Sequence, residues 1–415
     1  MSFAEVRSKL EEMDFLTIKS SKRRTKFIAC VGIAALFFFV LLSSTISFGH
    51  PPPPDQMRVL LPKVYDHNAE LVKPKDLKVV AFVFYGRRDR VKVLECYLRR
   101  NLVEYGGWVD EVHWVANTDK QDDLQYLDNS IIPSHKKYKK ISLHDLGFYN
   151  GFQSVWETVE RGVMYVKIDD DVLYIADDTI PRIVTTKLTN PEYHVVSANM
   201  INNPLLGWVH AKLGAIHPYF PEFDPEVAPL KKDDSPSPDW HMSELPAWTG
   251  PENYTFSIDS EPLEQGHRWL PVRSGRRAAL LAKTPIAQIE YDTWGTGIEK
   301  WPIAAQEHYS FLANLEKGNL DVYKAGKIWI ANYERTSINC IAVWGDDVLD
   351  TLPITGGIDE EWITKDIPKK LGKSTVIDMQ ALAVHFAFGP QKKGMESTDL
   401  IARYRSYAKD NICLR

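Results

Sequence analysis

The chain has 415 residues, 44% hydrophobic and 25% charged, which is enough to bury a large core. A formal net charge of −5 gives no electrostatic case for a nucleic-acid partner, and the local run Lys136-Lys137-Tyr138-Lys139-Lys140 reads as a solvated strand entry. Four cysteines are too few for a disulfide scaffold.

In chain order, the first feature is a charge-free stretch from Phe27 to Phe48, which reaches the roughly 20 residues a bilayer span requires. Lys19, Lys22, Arg23, Arg24 and Lys26 precede it, and His50 and a run of prolines follow. Residues 1–26 are therefore expected in the cytosol, 27–48 as a single transmembrane helix, and the remainder on the far side of the membrane. A cleaved signal peptide is the rival reading. The length of the apolar run, the long tail before it and the lack of a small-x-small cleavage site favour a retained type II anchor. Pro51 to Pro54, Pro62 and Pro74 mark a stiff stem over 49–77. Cys30 lies in the span, so Cys96, Cys340 and Cys413 remain, and one pair of them can form a disulfide; the sequence leaves the pair open. Asn253-Tyr254-Thr255 is an N-glycosylation sequon, as a secretory-pathway surface loop would carry.

The folded region is expected over 78–415. Leu77 to Tyr85 reads as a strand, Val91 to Val103 as a helix, and Val109 to Ala116 as a second strand ending at Asn117-Thr118-Asp119. A short helix over Asp119 to Leu127, a strand over Tyr138 to Leu143 and a helix over Phe152 to Arg161 follow. Met164-Tyr165-Val166-Lys167-Ile168 is then a β-branched and aromatic strand that runs into Asp169-Asp170-Asp171. Beyond it, Thr179 to Lys187 reads as a helix and Tyr193 to Met200 as a strand. The proline-dense, aromatic segment near 202–275 reads as a long insertion. Ile303 to Leu315 reads as a helix, Lys327 to Tyr333 and Ala381 to Phe388 as strands, and Thr398 to Tyr407 as a closing helix. The alternation implies an α/β fold with a mixed, mostly parallel sheet and helices on both faces.

Chemistry concentrates at the strand ends. Consecutive carboxylates repel one another unless a cation relieves them, and Mg²⁺ or Mn²⁺ prefers such oxygens and bridges them to phosphate. A solvated acidic turn is the plainer alternative. In a parallel sheet Tyr85 and Gly86, Asn117 and Asp119, and Asp169 to Asp171 share one edge, where open α/β sheets bind ligands. Tyr85, Gly86, Asn117 and Asp119 are candidates to hold a nucleoside. Arg87, Arg88 and Arg90 are candidates for diphosphate oxygens, because guanidinium matches phosphate geometry.

A type II anchor, a proline stem and an α/β domain with a strand-terminal Asp-x-Asp resemble Golgi-type glycosyltransferases of the GT-A fold. Tyr165-Val166-Lys167-Ile168-Asp169-Asp170-Asp171-Val172 is similar to the Lys-Thr-Asp-Asp-Asp-Val segment of β-1,3-galactosyltransferase-like families. The likeness spans Leu77 to about Met200. A longer one, including Asn332 to Leu349 and Ala381 to Gln391, is to uncharacterised membrane-anchored fungal proteins assigned to glycosyltransferases. The resemblance implies that Asp171 ligates Mn²⁺ or Mg²⁺, that Asp169 or Asp170 contacts the donor or the ion, and that His385 is a further metal ligand. It also implies a catalytic base, for which Asp347 and Asp346 of Trp344-Gly345-Asp346-Asp347-Val348 rank first and Glu361 of Asp359-Glu360-Glu361 next. Acceptor contacts are expected from Trp294 to Gly297, with Trp301, Glu307 and His308 nearby.

The expected activity is transfer of a sugar from a nucleotide-sugar donor to a glycan, glycoprotein or glycolipid at the Golgi membrane, with the endoplasmic reticulum as the second location. A catalytically inactive, membrane-tethered carbohydrate-binding or scaffold protein is the alternative, and a metal-dependent phosphate-ester hydrolase a third. Donor, linkage, stereochemical course and oligomeric state are open at this point.

Overall fold

The apolar run Lys78–Tyr85 forms a strand (β1) buried on both faces, the environment in which a strand reads as continuously apolar instead of alternating. Its parallel neighbours are β2 (Glu111–Ala116), with β3 (Tyr138–Ser142) beyond it, and on the other side the aspartate strand β4 (Val163–Asp169). Helix α1 (Arg88–Arg100) makes the crossover from β1 to β2. These elements come from a computed structural model that describes residues 71–142, 154–222, 238–251, 253–273, 280–354 and 358–413. The expected cytosolic tail, anchor and most of the stem lie outside the described residues. Among the described residues no helix is long and apolar enough to cross a membrane.

After β4 the chain makes a tight turn at Asp170-Asp171 into β5 (Val172–Ile175), then α2 (Thr179–Thr189), β6 (Tyr193–Ile201) and α3 (Pro204–Lys212). The segment expected as an insertion contributes α3 and a two-stranded antiparallel ribbon, β7 (Tyr219–Pro221) with β8 (Trp269–Pro271). Helix α4 (Trp301–Glu316), strands β9 (Ile328–Ile330), β10 (Cys340–Trp344) and β11 (Ser374–His385), and helix α5 (Leu400–Asn411) complete the fold. Among the described residues the main sheet has nine strands in the order β3-β2-β1-β4-β10-β6-β11-β5, with β9 paired to β11. Strands β1 to β4, β6 and β11 run in one direction, whereas β10, β5 and β9 run against their neighbours. The sheet is thus mixed and mostly parallel, as expected.

Alternate residues of β1 point to two different cores. Val79, Ala81 and Val83 pack with Val91 and Leu94 of α1, Phe311 of α4 and Tyr404 of α5. Val80, Phe82 and Phe84 pack with Trp156, Trp362 and Ile363 on the opposite face. Helices therefore cover both faces, and this double burial fixes the register, because a one-residue slip would exchange the two sets.

Three expectations change. The helix expected over Phe152 to Arg161 is, in its described part, only a short 3₁₀ turn, Ser154–Thr158, whose Trp156 anchors against Phe82 and Phe84. Strand β10 was not anticipated: five residues between polar segments carry too little period to stand out, yet they sit buried between β4 and β6. Strand β11 begins earlier than expected because its first half is needed to pair with β6 and β9. The disulfide left open by the sequence joins Cys96 of α1 to Cys413 beyond α5, and Cys340 is free and buried in β10.

Among the described residues His194, His210 and His308 are wholly buried and held neutral. Desolvation lowers His210 and His308 to about 3 and His194 to about 4. His308 Nδ1 lies 2.8 Å from the Tyr404 hydroxyl and Nε2 lies 3.0 Å from the Phe386 carbonyl, so a neutral ring satisfies both. Because their folded-state pKa values lie below the ordinary 6.5, these groups stabilise the fold above that value and lose the contribution as protons bind the unfolded chain. The thermal-unfolding midpoint is expected to fall steadily from pH 6.5 to about pH 4, and His210→Gln to flatten part of that decline in melts across a pH series. A midpoint flat over this window contradicts the assignment.

Candidate functional site

Parallel pairing of Phe84 with Asp169 and of Tyr85 with Ala116 places the carboxyl ends of β1, β2 and β4 on one edge. Strand β11 brings a fourth group there. Its register against β6 shifts between Asp378 and Leu382, and its last residues pair with β5, His385 opposite Val172. The Phe386 peptide fixes this crossing: its N–H donates to the Asp171 carbonyl at 2.9 Å, and its carbonyl accepts from His308 Nε2. His385 Nε2 consequently stands 3.3 Å from Asp171 Oδ1.

The three aspartates occupy different environments. Asp170, buried, accepts from the Gly86 N–H at 2.9 Å and from Arg87 Nε at 3.0 Å, with Arg87 Nη2 closing a second contact. A Cβ at Gly86 would stand 3.3 Å from that carboxylate, so the glycine permits the close approach. Burial, opposed by Arg87, pushes the Asp170 carboxyl above the usual carboxylate range. Asp171 is also buried, and burial pushes it up, but His385, Arg87 and Arg90 outweigh that and hold it well below the usual carboxylate range. Asp169, at the strand end, is the most accessible of the three. It pairs with Lys167 Nζ and accepts from Asn339 Nδ2 at 2.8 Å.

One ligand atom each from Asp169, Asp171 and His385 lies within 4.8 Å of the others. Two buried atoms of this group have no hydrogen-bond partner, Asp171 Oδ2 and His385 Nδ1, although Arg87 Nη2 stands 3.1 Å from the former. Two carboxylates and an imidazole, with an unpartnered buried atom on Asp171 and another on His385, are a donor set that a hard divalent cation fits.

The other candidates divide sharply. Arg87 reaches the tip, and Arg88 is exposed beside it, its N–H donating to Asp123 Oδ1. Arg90 is not a surface phosphate ligand: it is fully buried, 3.6 Å from Asp171 Oδ2, ion-paired to Glu396 and stacked on Phe386. Tyr85 likewise belongs to the core, its hydroxyl donating to the Asp123 carbonyl at 2.6 Å, so its ring is not free to stack on a base. Asn117 and Asp119 lie at the β2 end, half-buried and exposed respectively.

The two leading base candidates lie at the wrong edge. Strand β10 is antiparallel to β4, so Cys340 pairs with Ile168 beside the tip while Trp344 pairs with Met164 at the far end. Asp347 follows there and is held by Lys187 at 2.6 Å and Lys373 at 3.1 Å; Asp346 accepts from the Gly162 N–H at 2.7 Å. A Cβ at Gly345 would overlap the Glu160 carbonyl at 2.0 Å, so this glycine motif is a packing device. Glu361 pairs with Lys365. Its neighbour Glu360, which the sequence did not single out, turns inward: it pairs with Arg335 and accepts from the Ile338 N–H at 3.4 Å. Ile338 precedes Asn339, the residue that holds Asp169. Burial raises the Glu360 carboxyl, opposed by Arg335 and Lys167 and assisted by Asp169. Among the expected acceptor residues Trp301, Glu307 and His308 are buried in α4, whereas Trp294 is 56% exposed under Arg335, 3.8 Å from its ring centroid.

No protein-family model matches the chain, and no curated protein matches it by sequence. Among solved structures it is similar to GalNAc-T7 with UDP, GalNAc and Mn²⁺, at 12% identity and TM-score 0.37, covering 79% of this chain and 46% of that one. It is also similar to glucosyl-3-phosphoglycerate synthase from Mycobacterium tuberculosis in complex with Mn²⁺, UDP and glucosyl-3-phosphoglycerate, at 14% identity and TM-score 0.23, covering 30% and 44%. Mannosyl-3-phosphoglycerate synthase from Rubrobacter xylanophilus matches at 18% identity and TM-score 0.24, covering 30% and 40%. The chain therefore spans less than half the length of these three structures, and likenesses this shallow leave function to be judged on its own geometry.

Asp171 balances buried cations, so deleting it leaves Arg90 with the more exposed Glu396 as its remaining carboxylate; the usual cost of breaking a buried pair is about 3–5 kcal/mol. Asp171→Ala is expected to lose stability on that scale in denaturant unfolding, and Asp171→Asn, which keeps the shape and one acceptor, to lose less. Both variants remove the charge, so an Asp171→Asn protein as stable as the wild type would mean that charge at this position is irrelevant to the fold.

Proposed function

We propose that this chain is a metal-dependent glycosyltransferase of the GT-A type, which moves a sugar from a nucleotide-sugar donor to a glycan, glycoprotein or glycolipid. The observation that carries the reading is the convergence of Asp169, Asp171 and His385 at a strand-end edge also occupied by Arg87. Asp169, Asp171 and His385 would hold Mn²⁺ or Mg²⁺, which would supply positive charge beside a departing nucleoside diphosphate. Arg87 and exposed Arg88 supply guanidinium groups beside the diphosphate. Gly86, Asn117 and Asp119 border the nucleoside. Asp170 serves by holding Arg87 in place.

Glu360 is the best placed acid for the proton of an attacking hydroxyl. Its raised pKa favours proton acceptance, and it accepts from the N–H of Ile338, next to Asn339, which holds Asp169. Asp346, Asp347 and Glu361 are tied into ion pairs elsewhere. The apolar stretch 27–48, the Cys96–Cys413 disulfide and the exposed Asn253 sequon support a type II protein of the secretory pathway, with the domain in the Golgi lumen.

Thermal-shift titration of the full-length protein with uridine or guanosine diphosphate is expected to show stabilisation only when Mn²⁺ is present. Asp171→Asn is expected to abolish that shift. The absence of a metal-dependent shift with either nucleotide would favour the inactive carbohydrate-binding reading. With radiolabelled nucleotide sugars, Glu360→Gln is expected to lower transfer by about a hundredfold or more while metal-dependent nucleotide binding stays intact; full transfer by the variant removes Glu360 from the mechanism.

A further inference from the structure

Exposed aromatic rings are gathered on one surface of this protein. Tyr291 is 44% exposed, Trp294 56% and Tyr333 39%. Half-buried Trp208 of α3 meets Tyr291 edge-on at 5.6 Å, and Tyr291 stacks on Trp329 of β9 at 5.7 Å and 24°. Isolated exposed aromatics are ordinary; a set in mutual contact drawn from α3, a loop and β9, with Trp294 and Tyr333 exposed nearby in sequence, marks a binding surface.

The supporting loop is pre-ordered. Trp294 N–H donates to Asp292 Oδ1 at 2.8 Å, and the Thr296 hydroxyl both donates to the Gln288 carbonyl at 2.8 Å and accepts from the Glu290 N–H at 3.3 Å. On the facing loop Asn332 and Tyr333 are held at φ of 51° and 62°, a left-handed conformation that non-glycine residues adopt only when their surroundings impose it.

We propose that this surface binds a neutral oligosaccharide, so that the substrate accepting the sugar is a glycan chain and not a small metabolite. Two observations select that occupant. Glu290, Asp292 and Glu334 are exposed among the rings, and a dry protein interface or an acyl surface would strip their water without offering partners. Pyranose rings offer both parts of the match, C–H faces for the aromatics and hydroxyls for the carboxylates. Two cations, Lys212 over Trp208 at 5.2 Å and Arg335 over Trp294, lie on ring faces, and the exposed carboxylates among the rings disfavour acidic glycans.

The surface also leads to the metal group. Trp294 stacks under Arg335, Arg335 pairs with Glu360, and Glu360 accepts from the N–H of Ile338, next to the residue that holds Asp169. A chain lying on the rings would thereby end beside Glu360. This placement as an acceptor site rests on the transferase reading; binding itself does not.

The test is isothermal titration of the full-length protein, without metal or nucleotide, against neutral hexasaccharides of glucose, mannose, galactose and N-acetylglucosamine and the matching monosaccharides. At least one hexasaccharide is expected to bind saturably and more tightly than its monosaccharide. Trp294→Ala and Tyr291→Ala are expected to weaken it by on the order of tenfold, whereas Trp294→Phe retains most of the affinity. Each variant should keep the wild-type melting temperature and the Mn²⁺-dependent nucleoside diphosphate shift, which separates failure of this surface from failure of the transferase reading. The proposal is overturned if none of the four hexasaccharides binds, or if the alanine variants bind like wild type. It is also overturned if sedimentation or liposome pelleting shows that Trp294 instead governs self-association or membrane binding.

Discussion

Three successive carboxylates at one strand tip repel one another, and the structure depends on how each is compensated. Asp170 is closed off by Arg87 and the Gly86 N–H. Asp171 is buried among Arg87, Arg90 and His385. Asp169 remains at the rim, tethered by Lys167 and Asn339. The division gives one structural carboxylate, which fixes an arginine, and two that share a small space with an imidazole. A buried cluster of this kind contributes little net stability, because desolvation offsets the attraction, but it is costly to disturb. The tip is therefore rigid without being a major source of folding energy.

That rigidity is transmitted from several elements at once. Helix α1 supplies Arg90, whose guanidinium lies against Phe386 and reaches Glu396. Helix α4 supplies His308, which holds the Phe386 carbonyl, while the Phe386 N–H holds Asp171. Strand β10 follows Asn339 and Ile338, which hold Asp169 and Glu360. The site is a junction of β4, β10 and β11, so its donor set forms only when the distant carboxyl half of the chain has closed on the first sheet strands.

A second carboxylate cluster shows why composition alone misleads. Asp347 sits between Lys187 and Lys373, near buried His194, at the opposite sheet edge. Its residues look as functional in the sequence as those at the tip. The direction of β10 separates them: an antiparallel strand delivers the residues after it to the edge where β4 begins. Glu360 was passed over for the converse reason. It is one of three adjacent acids, and only the fold turns it inward to Arg335 while Asp359 accepts from Trp156 Nε1 at 3.0 Å and Glu361 pairs with Lys365.

By itself the sequence determined the central strands β1, β4 and β6 and the aspartate tip. Continuous apolar runs identify β1, β4 and β6 because doubly buried strands admit little else, and Asp169 to Asp171 declare themselves because unpaired charge at a strand end requires a partner. His385 was legible only through a resemblance, since a lone histidine in an apolar strand carries no local signal. Tertiary structure decided the rest: that Tyr85 and Arg90 turn into the core, that β10 points away from the tip, that Cys96 meets Cys413, and that rings from α3, a loop and β9 form one surface. Each of these depends on contacts between residues far apart in the chain. Local periodicity encodes which face is buried, but not which distant element will cover it.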